Sequence, residues 1–254
     1  MKYLCSAIVS AVFVLGVWSS ASAQTEVTLL APQPLKAPFD KLIPSFESKS
    51  GYKVTVKYAR TLETKVQVAH GDAFDVAIMV PPYAEALASG NVVAGSATTL
   101  VSFVQTLVVK KGAPKPDIST PDAVKRMLLA ANSISQVDPA NGAVGVSANQ
   151  MIQKLALTQQ LEPKIKIYKT QDIAEASVAM GETETCLCPY LNDPIEPGVD
   201  ELGPMPPDIS IPTDVVAFVS THTRDSAAAK ALVNYLSSPD VAVVYKGERM
   251  KAAH

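Results

Sequence analysis

The stretch from Val27 to Val80 reads strand, helix, strand, helix, strand, and that order narrows the possible folds more than any other feature of the chain. VTLLA (Val27–Ala31) and DVAIMV (Asp75–Val80) are continuous apolar runs, the pattern of strands covered on both faces. Between them, Phe39, Leu42, Ile43 and Phe46 recur at the spacing of one helical face, and Gly51 stands where a left-handed residue closes a helix. Pro44, inside this segment, is expected to kink or shorten the helix, because it lacks an N–H and its ring crowds the preceding turn. YKVTVKYA alternates Tyr52, Val54, Val56 and Tyr58 on one strand face, a core pattern rather than a stacking platform. Leu62, Val66 and Ala69 line the face of the next helix, and YAEALASG gives a short helix ended by Gly90. Strands separated by helices imply a parallel sheet joined by right-handed crossovers.

TTLVSFVQTLVVKK (Thr98–Lys111) is a long strand-like run that ends in the Pro-rich turn GAPKPDISTP, with Thr120 as N-cap and Pro121 in the first helical position. The chain is expected to cross into a second domain here. A second series follows: a helix (AVKRMLLAA), a strand (SISQV), the loop DPANGAVG, a helix (VSANQMIQKLAL) and a strand (IKIYKT). Next come a helix (IAEASVAM) that Asp172 can cap and Gly181 stops, and the strand TCLC. NDPIEPGVDELGPMPPDISIPTD reads as loop, VVAFVS as a returning strand, and RDSAAAKALVNYL and VAVVYKG as two closing helices. The expected fold class is α/β, with mainly parallel sheets flanked by helices and two lobes joined by hinge strands. Lobe I comprises residues 25–105 and 213–254, and lobe II residues 106–212.

The N-terminus sets the compartment. Lys2 is the only charge before Glu26, the apolar run AIVSAVFVLGVW follows, and Ala21 and Ala23 give the small-x-small pattern of a cleavage site. Residues 1–23 are therefore read as a cleavable signal peptide, and the protein as periplasmic. The apolar run is too short for a permanent anchor, and no later segment approaches spanning length, so the mature chain is expected not to be membrane-embedded. With 22 basic and 24 acidic residues, the chain lacks the clustered positive charge that nucleic acid requires. Cys186 and Cys188, in TCLCPY, are read as small hydrophobes in a buried strand, since a bridge between residues so close strains the backbone. His70, His222 and His254 are scattered, which argues against a metal site and a Ser-His-Asp triad. Glu182 and Glu184 are read as a solvated turn. No dinucleotide or phosphate-loop fingerprint occurs, so no cofactor is implied.

In open α/β sheets, ligands collect beyond the carboxyl ends of strands, where helix N-termini offer free N–H groups. Four strand-to-helix turns fit that position: APQPLK, ARTLE, DPANGAVGVS and KTQDIA. Their order, with KSGYKV, GDAFDVAI, DPANGAVG, MGETETCLCP and AAAKALVNYLSSPDVAVVYKGERM, resembles the periplasmic molybdate-binding protein family, the type II extracellular solute-binding proteins of ABC transporters. The resemblance covers nearly the whole chain after residue 23 and is to a divergent branch.

That resemblance implies a two-lobed binding protein without catalysis that closes by hinge motion on a small anion and presents it to an ABC transporter permease. The family's first serine position falls on Gln33 and Pro34, which loses a hydroxyl, and its second on Thr61, with Arg60 beside it. Its backbone donors fall near Val144 and Gly145 and near Gln171 and Asp172. Its tyrosine falls at Pro189, with Tyr190 adjacent. Arg60 suits a planar carboxylate, which moves the expected ligand from an oxyanion such as molybdate towards an organic acid. The opposing reading is that Arg60 merely lies along the surface. An exported α/β hydrolase and a ligand-sensing module feeding a receptor are the alternative functions.

Overall fold

The computed structural model describes residues 25–140, 142–192 and 196–253; the segment read as a signal peptide lies outside them. The first half runs β1 (Glu26–Pro32), α1 (Lys36–Ser50, entered through a 3-10 turn at Gln33–Leu35), β2 (Lys53–Ala59) and α2 (Thr61–His70). It continues with β3 (Val76–Met79), α3 (Ala84–Ala88) and β4 (Thr98–Phe103). The second half runs β5 (Gln105–Lys110), α4 (Pro121–Ala130), β6 (Ile134–Val137), α5 (Ala143–Lys154) and α6 (Thr158–Leu161). Then come β7 (Ile165–Tyr168), α7 (Gln171–Met180), β8 (Thr185–Pro189) and β9 (Val199–Pro204). The chain returns through β10 (Thr213–Val219), α8 (Ser226–Leu236), α9 (Ala242–Gly247) and β11 (Lys251–Ala252).

The strands form two sheets, a 6-stranded one ordered β11-β4-β10-β3-β1-β2 and a 5-stranded one ordered β7-β6-β8-β5-β9. Strands joined by a helical crossover pair in parallel, as β1 does with β2 and β3, and β6 with β7 and β8. The strands that carry the chain out and back, β4, β5, β9, β10 and β11, pair antiparallel, so both sheets are mixed. Each sheet face has its own buried apolar cluster. Phe39, Phe46, Leu232 and Tyr245 cover one face of the first sheet, and Val68, Phe74 and Phe218 the other. Leu128, Met151 and Leu161 cover one face of the second, and Ala174 and Val178 the other.

The run Thr98–Lys111 is two strands. It divides at Val104, whose carbonyl accepts from the Tyr190 N–H, and β4 and β5 belong to different sheets. The return crossing lies between β9 and β10. A buried network ties the two crossings together. Gln105 Nε2 donates to Ser147 Oγ and to the Ile211 carbonyl (2.8 Å), and Ser147 Oγ lies 3.2 Å from Thr213 Oγ1.

Several sequence expectations are corrected. Helix α1 continues through Pro44. That residue is on the exposed face, so the Asp40 carbonyl it leaves free faces solvent, while Phe39, Leu42, Ile43 and Phe46 hold both halves of the helix on the core. The buried face of α2 is Thr64, Lys65 and Val68 rather than Leu62, Val66 and Ala69. Lys65 buries its stem and donates from Nζ to the Pro82 carbonyl, so a polar residue occupies an inward position that periodicity assigns to apolar ones. Asp172 sits within α7 rather than at its N-cap, which is Thr170. The segment read as loop after Asn192 contains β9, whose edge position tolerates a Gly and a Pro. Cys186 and Cys188 are buried, as expected of a core strand, but they are joined as a disulfide. Both project from the same face of β8, with Cα atoms 5.7 Å apart.

Replacing Pro44 by Ala restores a backbone donor at an exposed helix position. Pro44→Ala is expected to raise stability by about 1–3 kcal/mol, read as an increase in Tm of several degrees by calorimetry.

Candidate functional site

A cavity of about 690 Å³ lies between the two sheets. Its wall is built from the ends of strands and the starts of helices. Pro32, Gln33, Pro34 and Leu35 come from the β1–α1 turn, and Arg60, Thr61, Leu62, Glu63 and Val66 from the start of α2. Gly142, Ala143 and Val144 begin α5, and Lys169, Thr170, Gln171 and Asp172 begin α7. Apolar side chains, among them Val80, Phe103, Val137, Val215, Leu191 and Met250, complete the lining.

The helix starts on this wall share a feature. The N-caps of the β1–α1 turn, α2, α5 and α7 are Pro32, Arg60, Gly142 and Thr170, and none makes a side-chain capping bond. The N-termini of α4 and α8, which lie away from the cavity, are capped by Thr120 Oγ1 and Asp225 Oδ1. The first N–H groups of a helix have no partner within it and carry the positive end of the helix dipole. Thr170 has the extended backbone of an N-cap (φ −137°, ψ 161°), yet its buried Oγ1 has no hydrogen-bond partner among the described residues. The cavity therefore faces several uncompensated backbone donors, an arrangement that suits a negatively charged ligand.

The ionised side chains nearly balance: Arg60 and Lys169 against Glu63 and Asp172. Arg60 Nη1 lies 3.4 Å from Asp172 Oδ2, an ion pair between the two halves of the molecule, with the side chains 73% and 40% exposed. A pair this open to solvent contributes little to stability. Behind the wall, Gln171 Nε2 donates to Glu175 Oε1 (2.9 Å). Glu175 is 4% exposed, and burial pushes its carboxyl up to about 7; the Gln171 bond pulls down, while Glu201, Glu196 and Asp172 push up.

Of the residues expected from sequence, Gln33, Pro34, Arg60, Thr61, Val144, Gln171 and Asp172 line the cavity together. Gly145 and Tyr190 do not form part of the wall. Gly145 packs against the end of β6, where a Cβ would overlap the Val137 carbonyl oxygen. The Tyr190 ring lies under the Arg249 guanidinium, 4.5 Å from its centroid, on the hinge side. Sequence reasoning missed Leu62 and Val66, assigned to the core, and Lys169 and Thr170. The signal for Lys169 and Thr170 was their place in the turn between IKIY and the next helix. Phe103, Val215, Leu191 and Met250 come from segments distant in sequence and carry no local signal. Among the described residues no group of three His, Cys, Asp or Glu side chains is placed to hold a metal, and His222 bonds to Asn91 Oδ1 (3.1 Å).

Two substitutions test this description. Gly145→Ala forces the end of β6 and the start of α5 apart and is expected to destabilise by about 1–3 kcal/mol and to shift the wall residues Val137 and Val144. Glu175 has a folded pKa raised from 4.5 to about 7, so its folded form holds a proton more tightly than its unfolded form. Its contribution is complete below about 4.5 and is lost as pH rises through about 7. Glu175→Gln is accordingly expected to be more stable than wild type at pH 8, by on the order of 3 kcal/mol, with little difference at pH 4.5. Urea unfolding at both pH values checks it.

Comparison with known proteins places this geometry. Over 238 residues the chain is 26% identical to an aconitate isomerase from a Pseudomonas species, covering 91% of this chain and 90% of that one. Over 240 residues it is 28% identical to the molybdate-binding protein ModA of Azotobacter vinelandii, covering 91% and 92%. The sulfate-binding protein SubI from Mycobacterium tuberculosis has the same fold (TM-score 0.70, 17% identity, 91% and 88% covered). The architecture is thus the two-lobed α/β fold of type II periplasmic binding proteins. The family described as bacterial extracellular solute-binding protein matches residues 27–246, and the chain belongs to that family.

Proposed function

We propose that this protein is a periplasmic solute-binding protein that captures a small organic acid in the cavity between its lobes and delivers it to an ABC transporter permease. The lobes are residues 25–105 with 213–254, and residues 106–212, closing by hinge motion about the two crossings. The observation that carries the reading is the convergence of uncapped helix N-termini on one cavity. Free backbone donors favour an anion. At about 690 Å³, with a largely apolar lining, the cavity falls in the range that holds organic molecules; an inorganic oxyanion would leave most of it empty. Arg60 supplies the planar fork that grips a carboxylate, and its exposed pairing with Asp172 is weak enough to be exchanged for a ligand. Thr61 contributes a hydroxyl, and Gln33, Val144, Gln171 and Asp172 contribute contacts from the other turns.

The relative named aconitate isomerase supports a carboxylate ligand and makes carboxylate isomerisation the second reading. Proton NMR of cis- and trans-aconitate incubated with the protein separates the two: interconversion supports the enzyme, and unchanged ligand the binding protein.

A thermal-shift panel of di- and tricarboxylates against molybdate, tungstate and sulfate tests the ligand class. At a concentration of about 100 Kd a true ligand adds roughly 2.7 kcal/mol, or about 5–11 °C in Tm. A shift with oxyanions alone would sink the organic-acid reading. Arg60→Ala is expected to cost on the order of 2–5 kcal/mol of carboxylate binding, by calorimetry, with little change in folding stability. Unchanged affinity would make Arg60 a surface residue.

A further inference from the structure

Two features of the α7 end of the cavity are unresolved in electrostatic terms. Among the described residues, Glu175 is a buried carboxylate with no ion pair to a cation, and Gln171 Oε1 is a buried acceptor without a hydrogen bond. They are joined, because the donor Gln171 spends on Glu175 is the other end of the same amide (Nε2 to Oε1, 2.9 Å). Nε2 also lies 3.6 Å from Cys186 Sγ. Glu175 stands one helical turn behind Gln171, and Gln171 is in the cavity wall.

One proton removes both difficulties. A protonated Glu175 is a donor, so the Gln171 amide turns over, its Oε1 accepting from Glu175 and its Nε2 taking the place the oxygen held. The buried charge disappears and the orphaned acceptor gains a partner, both within the buried layer behind the wall. An anion in the cavity favours this state by its repulsion of an ionised Glu175, one helical turn behind the wall. We propose that capture of an anion in the cleft is coupled to protonation of Glu175 through reversal of the Gln171 amide. This rests on the anion-binding reading of the cavity and adds a regulatory group to it.

The surroundings of Glu175 are acidic on every side that bears charge. Asp172 lies on its own helix, Glu201 on β9 and Glu196 in the segment before it. Of the neighbouring cations, Arg60 pairs with Asp172 and Arg249 with Glu201, and Lys169 lies in the cavity wall before α7, with no ion pair to Glu175 among the described residues. From β7, Tyr168 packs against the same apolar cluster, and Lys166 Nζ donates to the Glu182 carbonyl beyond the far end of α7. From β5, Lys110 approaches Gly181, also at the far end. Burial, with these acidic neighbours, pushes the Glu175 carboxyl up to about 7, so the exchange falls near neutral pH.

Calorimetry with trans-aconitate as probe, a tricarboxylate whose own charge is fixed above pH 7, tests the coupling. Titrations at pH 8 in two buffers of different ionisation enthalpy read the protons taken up per ligand. The expected result is uptake approaching one proton in the wild type and none in Glu175→Gln, with wild-type affinity falling up to tenfold per pH unit above about 7 and the variant's staying flat. A packing role for Glu175 would move affinity but not the proton count. Binding to wild type without proton uptake overturns the coupling and leaves the binding reading standing. Absence of trans-aconitate binding at both pH 6.5 and pH 8 overturns the carboxylate reading and the coupling with it.

Discussion

A right-handed crossover after a parallel strand obliges the next helix to begin near that strand's carboxyl edge. The chain obeys this rule in both halves, after β1 and β2 and again after β6 and β7. Because the two sheets face one another across a single cavity, the rule brings the four helix starts to one place. The local sequences then leave those starts open. Pro32, Arg60 and Gly142 have no short oxygen-bearing side chain to cap with, and Thr170 has one that does not cap. An uncapped N-terminus costs about 1 kcal/mol relative to a good cap. The short helices α3, α6 and α9 also start without a side-chain cap, so it is the meeting of four open starts on one cavity, and not the lack of caps, that suits a ligand from outside the chain.

The same topology requires the chain to leave the first sheet and come back, and the two crossings are where the lobes can move. They are not joined by apolar packing alone. Gln105, fully buried, reaches Ser147 at the start of α5 and the Ile211 carbonyl on the returning segment, and Ser147 meets Thr213. This buried network is only partly satisfied, Gln105 Oε1 having no partner among the described residues, but a slip of either crossing would break the bonds it does make. It fixes the register of the crossings, while the exposed Arg60–Asp172 pair at the opposite side of the cavity does not. Rigidity on the hinge side with a weak contact across the cleft is what closure on a ligand needs.

Much of this was legible in the sequence, and for identifiable reasons. Continuous apolar strands and a helix-strand alternation fix the fold class, since each element must bury a face. Thr61, Gln171 and Asp172 could be placed at a cavity because strand-to-helix turns have only one edge to occupy. What failed were residues whose environment is set by distant segments. Leu62 and Val66 follow helical periodicity, but α2 buries Thr64 and Lys65 against the sheet and turns its apolar stripe to the cavity instead. Tyr190 neighbours the expected position, yet the turn between α9 and β11 brings Arg249 over its ring. Strand β9 carries Gly203 and Pro204 in a Pro-rich segment, and only its pairing with β5 makes it a strand. The Cys186–Cys188 bond lay open to sequence, because alternation on a strand puts both on one face, and the strain argument outweighed that geometry in the wrong direction.

The charge pattern of the cleft follows from where each kind of charge resides. Ionised side chains nearly cancel at the wall, two of each sign, so little net attraction comes from them. The attraction comes from backbone dipoles, which are fixed by the helices and need no reorganisation when a ligand arrives. The Arg60–Asp172 pair is the exposed one, with both groups in contact with water and screened, so the proposed exchange of Asp172 for a ligand carboxylate would cost little. Releasing Asp172 leaves it one turn from Glu175, and a ligand anion added to that neighbourhood deepens an already negative field around a buried carboxylate. Among the described residues no cation pairs with Glu175 itself, so a proton is the charge that can neutralise it in place.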